Sequence, residues 1–157
     1  MSEDVREPVC SGVKEYAREA FRFMTEDELA KFCPFLSLRL LPADAVLMRE
    51  GEVGGFMGFL LQGRLAVKKG TSFPGRHVLL AILEPGTMVG EVSVVSHGTR
   101  NATVVAMEEC ALLELTREGF EGFLAKEPEL GVKFLRQIVH VVSLRLRKAD
   151  DRLASLL

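Results

Sequence analysis

The chain has 157 residues, 48% of them hydrophobic and 27% charged, with a formal net charge of −2. That is enough apolar sequence to bury a core within one domain. It is also a charge balance with no general attraction to nucleic acid or to an anionic membrane. No apolar run approaches the length of a membrane span, and the polar, acidic opening MSEDVREPVC is no secretory signal. A cytoplasmic location is therefore expected. Cys10, Cys33 and Cys110 are odd in number and form no paired spacing or metal motif, which argues for reduced thiols.

In chain order, residues 13–24 (VKEYAREAFRFM) place Val13, Tyr16, Ala20, Phe23 and Met24 at helical spacing. Thr25 then opens TEDELAKF with Glu28 three residues later, a capping box for a second short helix that Pro34 ends. From Leu38 to Leu115 short apolar runs alternate with glycine-bearing turns: AVLM, GFLL, RLAV, VLLAIL, ATVVA and ALLEL. This texture predicts an all-β sandwich or barrel. Gly51, Gly63 and Gly86 fall where the chain should turn with positive φ. Thr116 is the expected N-cap of TREGFEGFLA, and Pro128 suits the first turn of a long helix running to about Leu153. The fold class expected is mainly β with flanking helices (α+β). It comprises helices over about 13–33, an antiparallel β-barrel or jelly roll over about 38–115, and C-terminal helices over about 116–157, in a single domain spanning 1–157.

Candidate chemistry concentrates in GEVSVVSHGTRNATVVA, residues 90–106, where Glu91 and Arg100 bracket a small, mostly uncharged stretch. A short helical turn starting at Glu91 would offer free backbone N–H groups to an anion, phosphate in particular. Arg100 can bring a planar fork of donors to the same anion. A carboxylate beside a phosphate is repulsive, so Glu91 makes sense if Arg100 offsets it and it accepts from a neutral hydroxyl of the same ligand. A phosphate attached to a hydroxylated sugar meets that demand. The bland alternative is a salt bridge that closes a loop and binds nothing.

This stretch resembles the phosphate-binding cassette of the cyclic-nucleotide-binding domain family, which includes catabolite activator proteins and regulatory subunits of cyclic-AMP-dependent kinase. REGEVGGFMGFLLQGRLAV, LEPGTMVGE and TREGFEGFLAKEPEL extend the resemblance over roughly Phe21 to Leu153. It implies that Glu91 binds the ribose 2′-hydroxyl, that Arg100 binds the cyclic phosphate, and that backbone amides of Gly90, Glu91, Val92 and Ser93 complete the anion site. Members that have lost binding usually lack the glutamate or the arginine, and both are present here. Asn101 and Ala102 follow the arginine. Threonine at the first of these is associated in the family with guanine, whereas Asn101 can donate or accept and leaves the base open.

The helix after Pro128 carries Leu135, Val139, Val142, Leu146, Ala149, Leu153 and Leu156 at alternating spacings of 4 and 3, the seam of a coiled coil. A homodimer through this helix is expected; the alternative is a helix lying on its own barrel. The resemblance also implies that this region can cap the base, with Arg145 stacking on a purine. His77, His97 and His140 are scattered, so neither a metal site nor a catalytic residue is expected. The function expected is a cyclic-nucleotide-binding regulatory module with no cofactor and with cyclic AMP or cyclic GMP as ligand. It would signal to an unknown protein partner through its C-terminal helix. The alternatives are a ligand-free scaffold for protein association and a fragment of a transcription regulator lacking its DNA-binding domain. Direct nucleic-acid contact, membrane attachment and enzymatic activity are not expected. Arg100 is expected to serve the ligand rather than the core.

Overall fold

The computed structural model describes residues 18–157. Most of the helix expected over 13–24 lies outside them. Its described end is helical at 18–20 and turns at 21–24, where Phe21 drops into the core. Helix α1, Glu26–Phe32, begins at the expected capping box. The Thr25 hydroxyl accepts from Glu28 N at 3.2 Å, and the Glu28 carboxylate accepts from Thr25 N at 3.1 Å. A 3₁₀ turn over Cys33–Phe35, with Pro34 in its first turn, ends the helical entry. Cys33 is disulfide-bonded, against the expectation of reduced thiols, whereas Cys110 is a buried free thiol. Cys10 lies outside the described residues.

Eight strands follow: β1 (Ser37–Leu41), β2 (Val46–Met48), β3 (Phe56–Gln62), β4 (Leu65–Gly70), β5 (His77–Leu83), β6 (Met88–Val89), β7 (Thr103–Ala106) and β8 (Cys110–Thr116). They form two antiparallel four-stranded sheets, ordered β1-β8-β3-β6 and β2-β7-β4-β5. The jelly-roll expectation is met, but the expected barrel is not closed: no strand pair joins the two sheets among the described residues. Gly51, Gly63 and Gly86 turn with φ of 86°, 86° and 94°, as their sequence positions predict.

The alternation of side chains in the first sheet explains its unbroken apolar runs. Met57, Phe59 and Leu61 of β3 and Leu113 and Leu115 of β8 face one apolar cluster, together with Phe21, Phe32, Phe120, Phe123 and Phe134 from the helical segments. Leu60 of β3 and Cys110 and Leu112 of β8 face the other, against Leu47, Leu65 and Val104 of the second sheet. Both central strands are therefore buried on two sides, so neither shows the polar alternation of a half-exposed strand. The helices cover the outer face of the first sheet and the second sheet covers its inner face.

Helix α2 (Glu91–Ser96) lies between β6 and β7, and α3 (Arg117–Lys126) follows β8. The Thr116 hydroxyl caps α3 by accepting from Gly119 N at 3.0 Å. Helix α4, Pro128–Ser155, starts at the expected proline. Its first turns are anchored through Leu130, Phe134 and Ile138, while Val139 and the residues beyond Leu144 are largely exposed. The expected stripe divides accordingly. Leu135 and Val142 pack on the core, whereas Val139, Leu146 and Leu153 face outward. No helix among the described residues is long and apolar enough to cross a membrane.

Candidate functional site

Strand β6 ends at Val89, and Gly90 turns the chain with φ of 78°, in the left-handed region. A side chain there would also lack space, since a Cβ would lie 2.5 Å from Met48 Cε and 2.6 Å from Arg100 Nη1. This turn sets Glu91 at the start of α2 with only 1% of its surface exposed. His97, at φ 56°, ends the helix. The chain then returns along the loop before β3. Gly51 N donates to Arg100 O at 2.9 Å, Arg100 N donates to Glu52 O at 2.7 Å, and Val53 bridges Thr99. With its backbone held on both sides, Arg100 buries its side chain to 5% exposure.

The Arg100 guanidinium binds the protein itself. Nη1 donates to Ser93 Oγ at 2.8 Å and to Gly90 O at 3.2 Å, and Nη2 donates to Phe56 O at 2.6 Å. The group also lies 4.8 Å from the centroid of the Phe56 ring. It makes three such bonds against the five N–H donors a guanidinium carries. The expectation that Arg100 serves a ligand alone is therefore corrected: it also ties the start of α2 to β3. Burial, then the nearby Arg117, hold its pKa below the ordinary arginine value, with Glu52, Glu91 and Glu114 opposing.

Glu91 was expected to be offset by Arg100, but its contact partner is Arg145. Arg145 Nη1 donates to Glu91 Oε1, and Arg145 Nη2 donates to Met88 O. Glu91 Oε2 is buried and has no hydrogen-bond partner among the described residues. Burial raises the Glu91 carboxyl above its ordinary pKa, with Arg145, the residue's own backbone N–H and then Arg100 acting in the opposite direction. Arg145, which the resemblance implied could stack on a purine, has its guanidinium engaged at Glu91 and Met88.

Val92 turns its side chain outward, Ser93 is buried, and Ala102 is half-buried before β7. Asn101 is exposed, and Lys69 Nζ lies 2.7 Å from its backbone O and 3.2 Å from Oδ1. A lysine ammonium only donates, so this contact takes the amide oxygen and leaves the Asn101 NH₂ as the donor.

Sequence reasoning passed over Arg117, Phe56 and Gly54. Arg117 Nη2 donates to Gly54 O and, at 3.2 Å, to Ser93 O. A Cβ on Gly54 would collide with the Ser93 side chain. One signal was present in the sequence: a basic residue directly after an N-cap opposes the helix dipole, so Arg117 needed a reason to be there.

The geometry defines a jelly-roll domain in which a short inter-strand helix carries a buried carboxylate and is tied at its start to a buried arginine. Residues 38–127 match the family model described as cyclic nucleotide-binding domain, and the chain belongs to that family. It is 31% identical over 117 residues to the CRP-like cAMP-activated global transcriptional regulator of Mycobacterium tuberculosis, covering 74% of this chain and 50% of that protein. It is 27% identical over 130 residues to the cyclic AMP receptor protein of Thermus thermophilus, covering 83% of this chain and 58% of that protein. The chain thus spans about half the length of these relatives. The crystal structure of a cyclic nucleotide-binding domain from Methylobacillus flagellatus KT superposes with a TM-score of 0.84. That likeness is one of fold, at 23% identity over 92% of this chain and 86% of the other.

Proposed function

We propose that the pocket between Gly90 and Ala102 binds a cyclic nucleotide, cyclic AMP or cyclic GMP, and that helix α4 reports its occupancy to a protein partner. One observation carries this reading. A carboxylate with 1% exposure keeps an unpartnered oxygen, on the same short helix whose start is tied to a buried arginine. Burying both groups is costly unless something uses them. A cyclic phosphate would take the backbone N–H groups of Gly90, Glu91, Val92 and Ser93 and the remaining Arg100 donors. The ribose 2′-hydroxyl would donate to Glu91 Oε2. Asn101, with its oxygen on Lys69, would present a donor, and Ala102 would line the wall beside it.

Arg145 supplies the route to the helix. A ribose drawn to Glu91 must share that carboxylate with Arg145 or displace it, so ligand and α4 compete for one group. Occupancy then shifts α4 by the difference in ligand affinity between the two arrangements. The described residues are read as parts of one domain without catalytic residues, cofactor or direct nucleic-acid contact. We further propose a homodimer through α4. Val132, Val139, Leu146 and Leu153 recur every seven residues, each more than half exposed, as a coiled-coil seam requires.

The test is thermal unfolding with and without cyclic AMP and cyclic GMP, on wild type and Arg100→Lys. Each protein is compared with its own ligand-free midpoint, because Arg100 also supports the fold. Ligand at about a hundred times its Kd adds about 2.7 kcal/mol of stability, a shift of several degrees. A shift in wild type that is lost in Arg100→Lys supports a nucleotide sensor. No shift with either nucleotide at millimolar concentration turns the reading to a ligand-free scaffold.

A further inference from the structure

Arg117 is the first residue of α3, where a cation meets the positive end of a helix dipole. Its backbone N–H donates to Gly55 O at 2.9 Å. Its Nη2 holds Gly54 O and Ser93 O, and its Nε is buried without a hydrogen-bond partner among the described residues. Ser93 is therefore gripped from two sides, its hydroxyl by Arg100 at 2.8 Å and its carbonyl by Arg117 at 3.2 Å. Two guanidinium groups converge on one residue of a six-residue helix.

Among the described residues, neither cation has a carboxylate of its own. Glu52, Glu91 and Glu114 are the acids whose charge reaches Arg100. Glu52 lies 3.9 Å from Arg49, Glu114 lies 3.2 Å from Arg39, and Glu91 is in contact with Arg145. Each acid thus has a different arginine against it, and Arg100 and Arg117 form no ion pair among the described residues. Like charges gathered out of water destabilise each other unless an anion joins them.

Resting on the reading of this pocket as a cyclic-phosphate site, we infer that Arg117 is its second cation, a positioning residue that acts through Ser93 and Arg100. It draws the Ser93 and Gly54 carbonyls onto itself, so that their negative ends are occupied rather than turned to the phosphate. It adds its field to that of Arg100. It also ties the cassette to the first residue of α3, so the anion site and the C-terminal helices share one side chain.

Two substitutions separate charge from tethering. Arg117→Lys keeps the charge; Arg117→Gln keeps two N–H donors and loses it. Binding of cyclic AMP and cyclic GMP is measured by calorimetry on both variants and wild type, with ligand-free unfolding of each as the check on folding. The expected result is a loss of about ten- to a hundredfold in affinity for Arg117→Gln, with Arg117→Lys within about threefold of wild type. Arg117→Gln binding as tightly as wild type overturns the inference. So does an equal loss in both variants, which would make Arg117 a structural tether only. A wild type that binds neither nucleotide defeats the pocket reading itself, and is distinguished from failure of the inference alone by the wild-type titration.

Discussion

Glu91 carries a charge that its surroundings oppose. Burial raises its pKa above the ordinary carboxylate value of 4.5, against the pull of Arg145 and Arg100. Between 4.5 and the folded-state value, the native protein therefore binds more protons than the unfolded chain. By linkage, the stability tied to this group is fully present below 4.5 and is lost as pH rises through the folded-state value. Glu91→Gln has no such proton to lose. In the ligand-free protein, the stability of wild type relative to Glu91→Gln should fall as pH is raised from 4.5, read by denaturant unfolding at a series of pH values. A difference that stays flat over that range would show that Glu91 keeps its ordinary pKa in the fold. In the proposed function the same residue would supply the pocket's acceptor, since a buried carboxylate is costly unless a partner uses it.

At the scale of elements, α4 does two jobs with two faces. Phe134 and Ile138 lock its first half beneath the outer face of the first sheet, where Phe134 meets Phe23, Phe32, Phe59, Phe120 and Phe123. Burying one such phenylalanine is worth about 2–3 kcal/mol, so this half cannot move freely. The second half leaves the core, held by Arg145 on the cassette and by Arg152, which donates to Leu80 O at 2.7 Å. Its outward residues Val139, Leu146 and Leu153 lack a covering surface among the described residues. Leu146→Asp places a charge at the centre of the proposed seam, and if the proposed dimer forms, sedimentation should show its dissociation constant rising about a hundredfold or more. An unchanged species would return the stripe to the alternative of a helix serving only its own domain.

For the whole molecule, the question is how occupancy of the proposed site would be felt along α4. Arg145 spans that distance in one contact, from α4 to Glu91 and to Met88 of β6. Arg145→Met removes the competitor for Glu91 and cuts the link. Cyclic AMP affinity should rise a few-fold, while the ligand-induced change in amide exchange over residues 139–155, present in wild type, should vanish. Weaker binding together with an intact exchange response would assign Arg145 to the ligand and the coupling to another route, with the Ser93–Arg117 tether the next to test.

What the chain determines by itself is the chemistry that acts over a few residues. The Thr25–Glu28 capping box, the Thr116 cap, Pro128 at the start of α4 and the left-handed glycines Gly51, Gly63 and Gly86 were all legible, because each rests on local hydrogen bonding or backbone freedom. So was the short helix that starts at Glu91 directly after Gly90. Tertiary structure decided who meets whom. Glu91 finds Arg145 across 54 positions, Arg100 finds Phe56 across 44, and Ser93 finds Arg117 across 24. It also decided that two sheets face each other without closing, and that of the seven α4 stripe residues only Leu135 and Val142 pack on the core while the other five are exposed. No local pattern encodes such pairings, since they arise only when packing brings distant side chains into one low-dielectric space, where an arginine takes whichever acceptors the fold has left there.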